Sequence, residues 1–143
     1  MKLEDRPAAV DVAALAARDS FTRDLGIELI EASFGRAVCR VDIEGRHVNF
    51  NGVAHGGLTF TLADAAFGYA CNSQGAMSAG IDAHIVYSLA ARVGDMLTAT
   101  AVEVARSARL STYRIDIVRQ DGKLVAAMTG TAYISDKPAG AAT

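Results

Sequence analysis

The segment His55-Gly-Gly-Leu-Thr-Phe-Thr-Leu-Ala-Asp-Ala-Ala-Phe-Gly-Tyr-Ala-Cys71 decides how the rest of the chain is read. It is apolar nearly all round, which predicts a helix over 57–73 that lies at the centre of the fold rather than on its surface. Asp64 is the exception, the only formally charged residue between Arg46 and Asp82. A carboxylate set in an apolar helix costs free energy unless it is paired, hydrated or protonated. Such an acid is a candidate reacting group, because perturbed acids cluster at functional sites. The glycine pair just before the helix adds a second element, since the free N–H groups and dipole of a helix start favour negative charge.

Outward from this helix, the pattern is mostly strand. On the N-terminal side, residues 11–24 predict a first helix capped by Asp11, with Val12, Leu15, Ala16 and Phe21 on one face and Gly26 as its stop. Ile27–Ser33 and Ala37–Glu44 follow as strands around Gly35. In the second, Cys39, Val41 and Ile43 alternate with Arg40, Asp42 and Glu44. Residues 45–57 are irregular, and Gly75 to Gly80 reads as a turn region. On the C-terminal side Ile81–Leu89, Met96–Ala105, Leu110–Gln120 and Lys123–Ser135 each read as a strand. Asp121-Gly122 gives a two-residue hairpin signal between the last two. Hairpins imply antiparallel pairing, so the expected architecture is α+β, with one sheet wrapped on one helix.

Bulk properties narrow the function classes. The 143 residues fit a single domain, 1–143, with 1–10 and 137–143 expected as loose termini. Hydrophobic content of 51% against 21% charged is slightly apolar and points to an oligomer. A net charge of -2 without a basic block gives no case for nucleic acid or an anionic membrane. The N-terminal stretch is acidic with no long apolar core, unlike a secretory leader, and no apolar run reaches the ~18 residues a membrane span needs. The expected setting is the cytoplasm. Cys39 and Cys71 have no metal-ligand spacing and read as reduced core residues. Three scattered histidines do not make a metal site, and His47 and His84 have no assignable role.

Asn49, then six residues on His55-Gly-Gly, then Leu-Ala-Asp64 nine residues after the His, followed by Ala70-Cys-Asn-Ser-Gln-Gly75, resembles the hotdog-fold acyl-CoA thioesterases. Within them the likeness is to the PaaI (phenylacetic acid degradation) type, and it covers roughly residues 20–135 through Val93-Gly-Asp95 to the last hairpin. The resemblance implies an antiparallel sheet wrapped around a long central helix. It implies hydrolysis of aryl- or arylacetyl-CoA thioesters to the acid and CoA, with no metal or organic cofactor. It also implies a homodimer or homotetramer whose sites lie between subunits, Asp64 of one chain facing Gly56 of the other. One departure is Arg106-Ser-Ala-Arg-Leu-Ser-Thr112, where such enzymes often carry a glycine and a Thr-Gly pair.

Thioester hydrolysis needs a positioned water and a place for the developing oxyanion. No Ser-His-Asp or Cys-His constellation is evident. Asp64 is the expected general base or nucleophile. Gly56 is the expected oxyanion donor, or else simply a tight turn, and Gly57 is the weaker candidate. Asn49 is expected either to orient water or the carbonyl through its amide, or to make an Asx turn. His55 either binds the acyl carbonyl or holds the loop. Ser73 is expected to place water or to cap the helix. Arg106 and Arg109, with Arg92 as a third, are candidates for CoA phosphates. Two rivals remain: an enoyl-CoA hydratase or dehydratase on the same fold, disfavoured because its Asp precedes its His by five residues, and a non-catalytic acyl-CoA-binding module.

Overall fold

The computed structural model describes residues 1–141 and contains six antiparallel strands laid against one long helix. In chain order the helices are α1 (Val12–Ala17), α2 (Ser20–Asp24) and α3 (Gly56–Cys71). The strands are β1 (Glu28–Ser33), β2 (Arg36–Asp42), β3 (Ala76–Tyr87), β4 (Met96–Arg106), β5 (Leu110–Arg119) and β6 (Leu124–Pro138). They hydrogen-bond in the order β1-β2-β4-β5-β6-β3, so β1 and β3 are the edges. No helix among the described residues is long and apolar enough to cross a membrane.

The alternation seen in sequence becomes the inner face of the sheet. Cys39 of β2 pairs with Ala99 of β4, and Ala99 with Ile117 of β5, all fully buried against α3. Leu62, Ala63, Ala66, Phe67 and Ala70 are the helix's contribution to the same core. Phe67 is the largest of these, and its ring meets Tyr113 at 5.5 Å between centroids. It fits because two strand positions opposite it have no side chain. A Cβ at Gly80 or Gly130 would lie 2.8 or 2.9 Å from the Phe67 ring.

Several expectations are corrected. The helix over 11–24 is two helices, because Asp19 caps a new one by accepting the Thr22 N–H at 3.2 Å. As a result Phe21 is 65% exposed instead of packed inward. The turn expected at 75–80 is largely strand, with β3 pairing on β6 from Ala76 onward. Its residues are too small and too uniform to show alternation. The β5–β6 connection is a three-residue loop rather than two: Arg119 N–H bonds Lys123 O at 2.9 Å and Gly122 takes φ 81°. At the N-terminus, the expected loose segment 1–10 is tied down by Phe34 N–H to Arg6 O and Ala9 N–H to Ser73 O, both 2.8 Å. Of the tail expected loose at 137–143, Lys137 and Pro138 belong to β6, and residues 142 and 143 lie outside the described residues.

Candidate active site

α3 begins with an unusual allocation of donors. A helix start leaves its first N–H groups without helical partners. Here the His55 carbonyl accepts the Leu58 and Thr59 N–H groups at 3.0 and 3.3 Å. The His55 ring caps the Gly57 N–H, accepting at Nδ1 at 2.8 Å. The Gly56 N–H is left with no hydrogen-bond partner among the described residues. Gly56 itself is clamped from the edge strand, where the Tyr87 hydroxyl donates to its carbonyl at 3.0 Å. A Cβ at Gly56 would come 3.3 Å from the Tyr87 ring. Gly56 lines a cavity of about 380 Å³ shared with Tyr87, Val53 and residues 88–91.

Asp64 lies farther along the same helix, and its placement qualifies the sequence reading. In the single chain it is exposed, on a strip of α3 formed by Gly57, Thr61, Asp64 and Gly68 that the sheet leaves uncovered. The helix is therefore central to the sheet but open along one side. Asp64 makes no hydrogen bond or ion pair among the described residues, and it lines a cavity of about 400 Å³ with Phe21, Phe60, Asp19 and Tyr69. Surrounding apolar groups push its carboxyl above the ordinary value of 3.8, and the nearby Asp19 charge adds to that. Asp19 is held in place by the Tyr69 hydroxyl, which donates to it at 2.8 Å.

The other candidates divide. Asn49 makes the Asx turn: its Oδ1 accepts the Asn51 and Val53 N–H groups at 2.9 and 3.4 Å. His55 holds the loop, and with Nδ1 accepting, its neutral ring carries the proton on Nε2. Gly57 offers no free donor, because its N–H is already bonded to that ring. Ser73 is fully buried, donating to Ala70 O at 2.7 Å and accepting the Gly35 N–H at 2.8 Å. It joins α3 to the β1–β2 turn and does not face Asp64. Arg106 pairs with Glu103 at 3.1 Å and Arg109 with Asp136 at 2.6 Å. Both arginines sit where β4 ends and β5 begins, at the opposite end of the sheet from Gly56, since α3 starts beside the end of β3. Arg92, in the loop before β4, is exposed and its side chain has no partner among the described residues.

Sequence reasoning missed Tyr87 and His47. Nothing local marks Tyr87; only the β3–β6 register brings it over Gly56. No group of three or more potential metal ligands occurs among the described residues.

The fold has counterparts among known proteins. Residues 51–126 match the family model described as "Thioesterase superfamily". This chain belongs to the thioesterase superfamily. It is 36% identical over 120 residues to the acyl-coenzyme A thioesterase PaaI of Escherichia coli K12, covering 84% of this chain and 86% of that one. It is 32% identical over 119 residues to human acyl-coenzyme A thioesterase 13, covering 80% and 85%. Among solved structures, E. coli PaaI superposes with a TM-score of 0.86 at 34% identity, over 88% of this chain and 91% of that one. A mutant of the phenylacetic acid degradation protein PaaI of Thermus thermophilus superposes at 0.78 with 36% identity, over 80% and 98%. Within the superfamily the fold is the hotdog, here of the PaaI type.

Proposed function

We propose that the protein is an acyl-CoA thioesterase that hydrolyses aryl- or arylacetyl-CoA thioesters to the free acid and CoA, in a site assembled from two protomers. The observation that carries this reading is the pairing of an unbonded Gly56 N–H with an unpaired Asp64, its carboxyl pushed above the ordinary value, on one helix. The eight-residue step from Gly56 to Asp64 amounts to about 12 Å of helix, too far for both to act on one carbonyl within one chain. Two copies of α3 side by side and antiparallel bring each Gly56 to the other copy's Asp64. The open strip of α3 and the unpaired outer edge of β3 support such a dimer, since both are surfaces that proteins normally cover. The finer reading, a dimer of such dimers, is what the family resemblance implies, and the slightly apolar composition fits it.

In this site Asp64 takes a proton from water. The hydroxide formed adds to the thioester carbonyl, and the Gly56 N–H together with the helix dipole stabilises the oxyanion. Collapse breaks the carbon–sulfur bond, and the proton held on Asp64 passes to the departing CoA thiolate. A carboxyl raised above its ordinary range is suited to accepting a proton. The step uses only these groups and needs no metal or organic cofactor. Arg92, exposed and without a side-chain partner among the described residues, joins Arg106 and Arg109, which an antiparallel partner would bring from its far end, as a candidate to meet a CoA phosphate. A cytoplasmic setting is consistent with two free, buried cysteines whose thiols are both pushed up to about 12 by burial.

The test is free-thiol release from a panel of aryl-, arylacetyl- and alkanoyl-CoA esters. Release that is fastest with arylacetyl esters is expected; no release from any ester would refute the enzyme reading. A single turnover in oxygen-18 water separates the two roles of the acid. Label in the product alone fits a base, while label retained in Asp64 fits a nucleophile.

A further inference from the structure

His47 is buried at 3% exposure and is hydrogen-bonded at both ring nitrogens. Nδ1 accepts the Glu44 N–H at 2.9 Å, which places the proton of the neutral ring on Nε2. Nε2 in turn lies 2.9 Å from the Leu25 carbonyl, to which it donates. The ring thus spans from the end of β2 to the end of α2. The backbone completes the bridge: the His47 carbonyl accepts the His55 N–H at 2.8 Å. His55 is the residue whose peptide bond carries the free Gly56 N–H, and whose carbonyl and ring accept the next three N–H groups of α3.

We propose that His47 is a positioning residue for thioester hydrolysis: braced between Glu44 and Leu25, it fixes the His55 backbone and so aims the Gly56 N–H. An oxyanion donor must already be in place when charge develops, so small displacements of a single N–H carry large kinetic effects. The Leu25 link extends the brace to α2, whose Phe21 lines cavities on both the His55 side and the Asp64 side. Neutral histidine suits the position because it accepts at one end and donates at the other across the width of a ring. The inference rests on the assignment of Gly56 as oxyanion donor.

The experiment compares His47→Asn and His47→Gln with the parent protein in the acyl-CoA assay, with thermal unfolding of each. The Asn amide occupies the place of Nδ1 and keeps the Glu44 link. The Gln amide reaches the place of Nε2 and keeps the Leu25 link. Each is expected to lose about tenfold or more in kcat with KM within about twofold, and Asn and Gln to retain more activity than His47→Leu, which keeps neither. Wild-type kcat per folded protein in both variants, with only a lowered Tm, would overturn the proposal. So would a loss confined to KM. Should the variants not fold, nitrogen-15 NMR of the parent protein decides. The proton on Nε2 of His47 and a slowly exchanging His55 amide are expected, and the other tautomer or a fast-exchanging amide contradicts the brace. Asp64→Asn in the same assay separates the two readings. Full activity there removes the site itself, whereas an inactive Asp64→Asn beside fully active His47 variants removes only the brace.

Discussion

The two ends of α3 treat their polar groups in opposite ways. At the C-terminal end, Asn72 donates to Gly68 O and Ser78 O, both at 2.9 Å, and accepts the Ser78 N–H at 2.9 Å. Ser73 bonds Ala70 and Gly35, and Gln74 reaches both Glu103 and the Tyr113 hydroxyl. At the N-terminal end one donor, the Gly56 N–H, is left over, and Asp64 midway along has no partner. The contrast teaches that a distinctive sequence string need not be a site. The polar string after the helix is bonded into the fold, and the proposed site lies where bonding is incomplete.

The sharpest way to break this contrast is Asp64→Asn. The amide keeps shape and polarity but accepts no proton, so kcat for thiol release is expected to fall by about 10²–10⁴ with KM little changed. A variant with parental kcat would show that the unpaired acid is as inert as the bonded string. Ser73→Ala tests the other end. It leaves the buried Gly35 N–H without its partner, so a loss of about 1–3 kcal/mol in unfolding free energy is expected by denaturant titration, with kcat of the folded protein unchanged. A large fall in kcat would move Ser73 back into the site.

The smallest effect concerns pH. Desolvation by the apolar groups around it, and then the charge of Asp19, raise the folded-state value of Asp64 above 3.8, so the folded protein holds this proton more tightly than the unfolded chain. Its contribution is stability present at low pH and lost as pH rises through the folded value. Asp64→Asn is therefore expected to unfold at a slightly higher temperature than the parent at pH 7, the gap closing as pH falls to 3.8 and below. A lower Tm at pH 7 would mean that the carboxylate is stabilised in the fold.

How far these features were legible in sequence follows from what each depends on. The apolar run from Leu58 to Cys71 and the alternation through Cys39, Val41 and Ile43 are local patterns, and they marked the central helix and an inner strand. The isolated charge and the glycine pair were equally local. The break at Asp19 was missed because an N-cap inside a helical stretch looks like one more polar position until its side chain is seen bonding Thr22. The start of β3 was missed because residues 76–80 show no alternation, and Gly80, which reads as a turn residue, is there to leave room for Phe67. Tyr87 and His47 depend on contacts between segments 31 and 22 residues apart, to Gly56 and Leu25, and no spacing rule reaches them.

Gly56→Pro addresses most directly the central claim, that one N–H of α3 is left free for a reacting oxyanion. Proline suits the first position of a helix, where its missing N–H has no helical partner anyway. The preceding His55, at φ -61° and ψ 135°, already has the extended geometry proline requires. Gly56→Ala adds the same Cβ beside Tyr87 but keeps the N–H, and so serves as the control. The expected result is a folded Gly56→Pro protein with kcat lowered by about 10²–10³, and Gly56→Ala at least about tenfold more active than it. Equal activity of the two variants, or a Gly56→Pro protein with parental kcat, would contradict the claim.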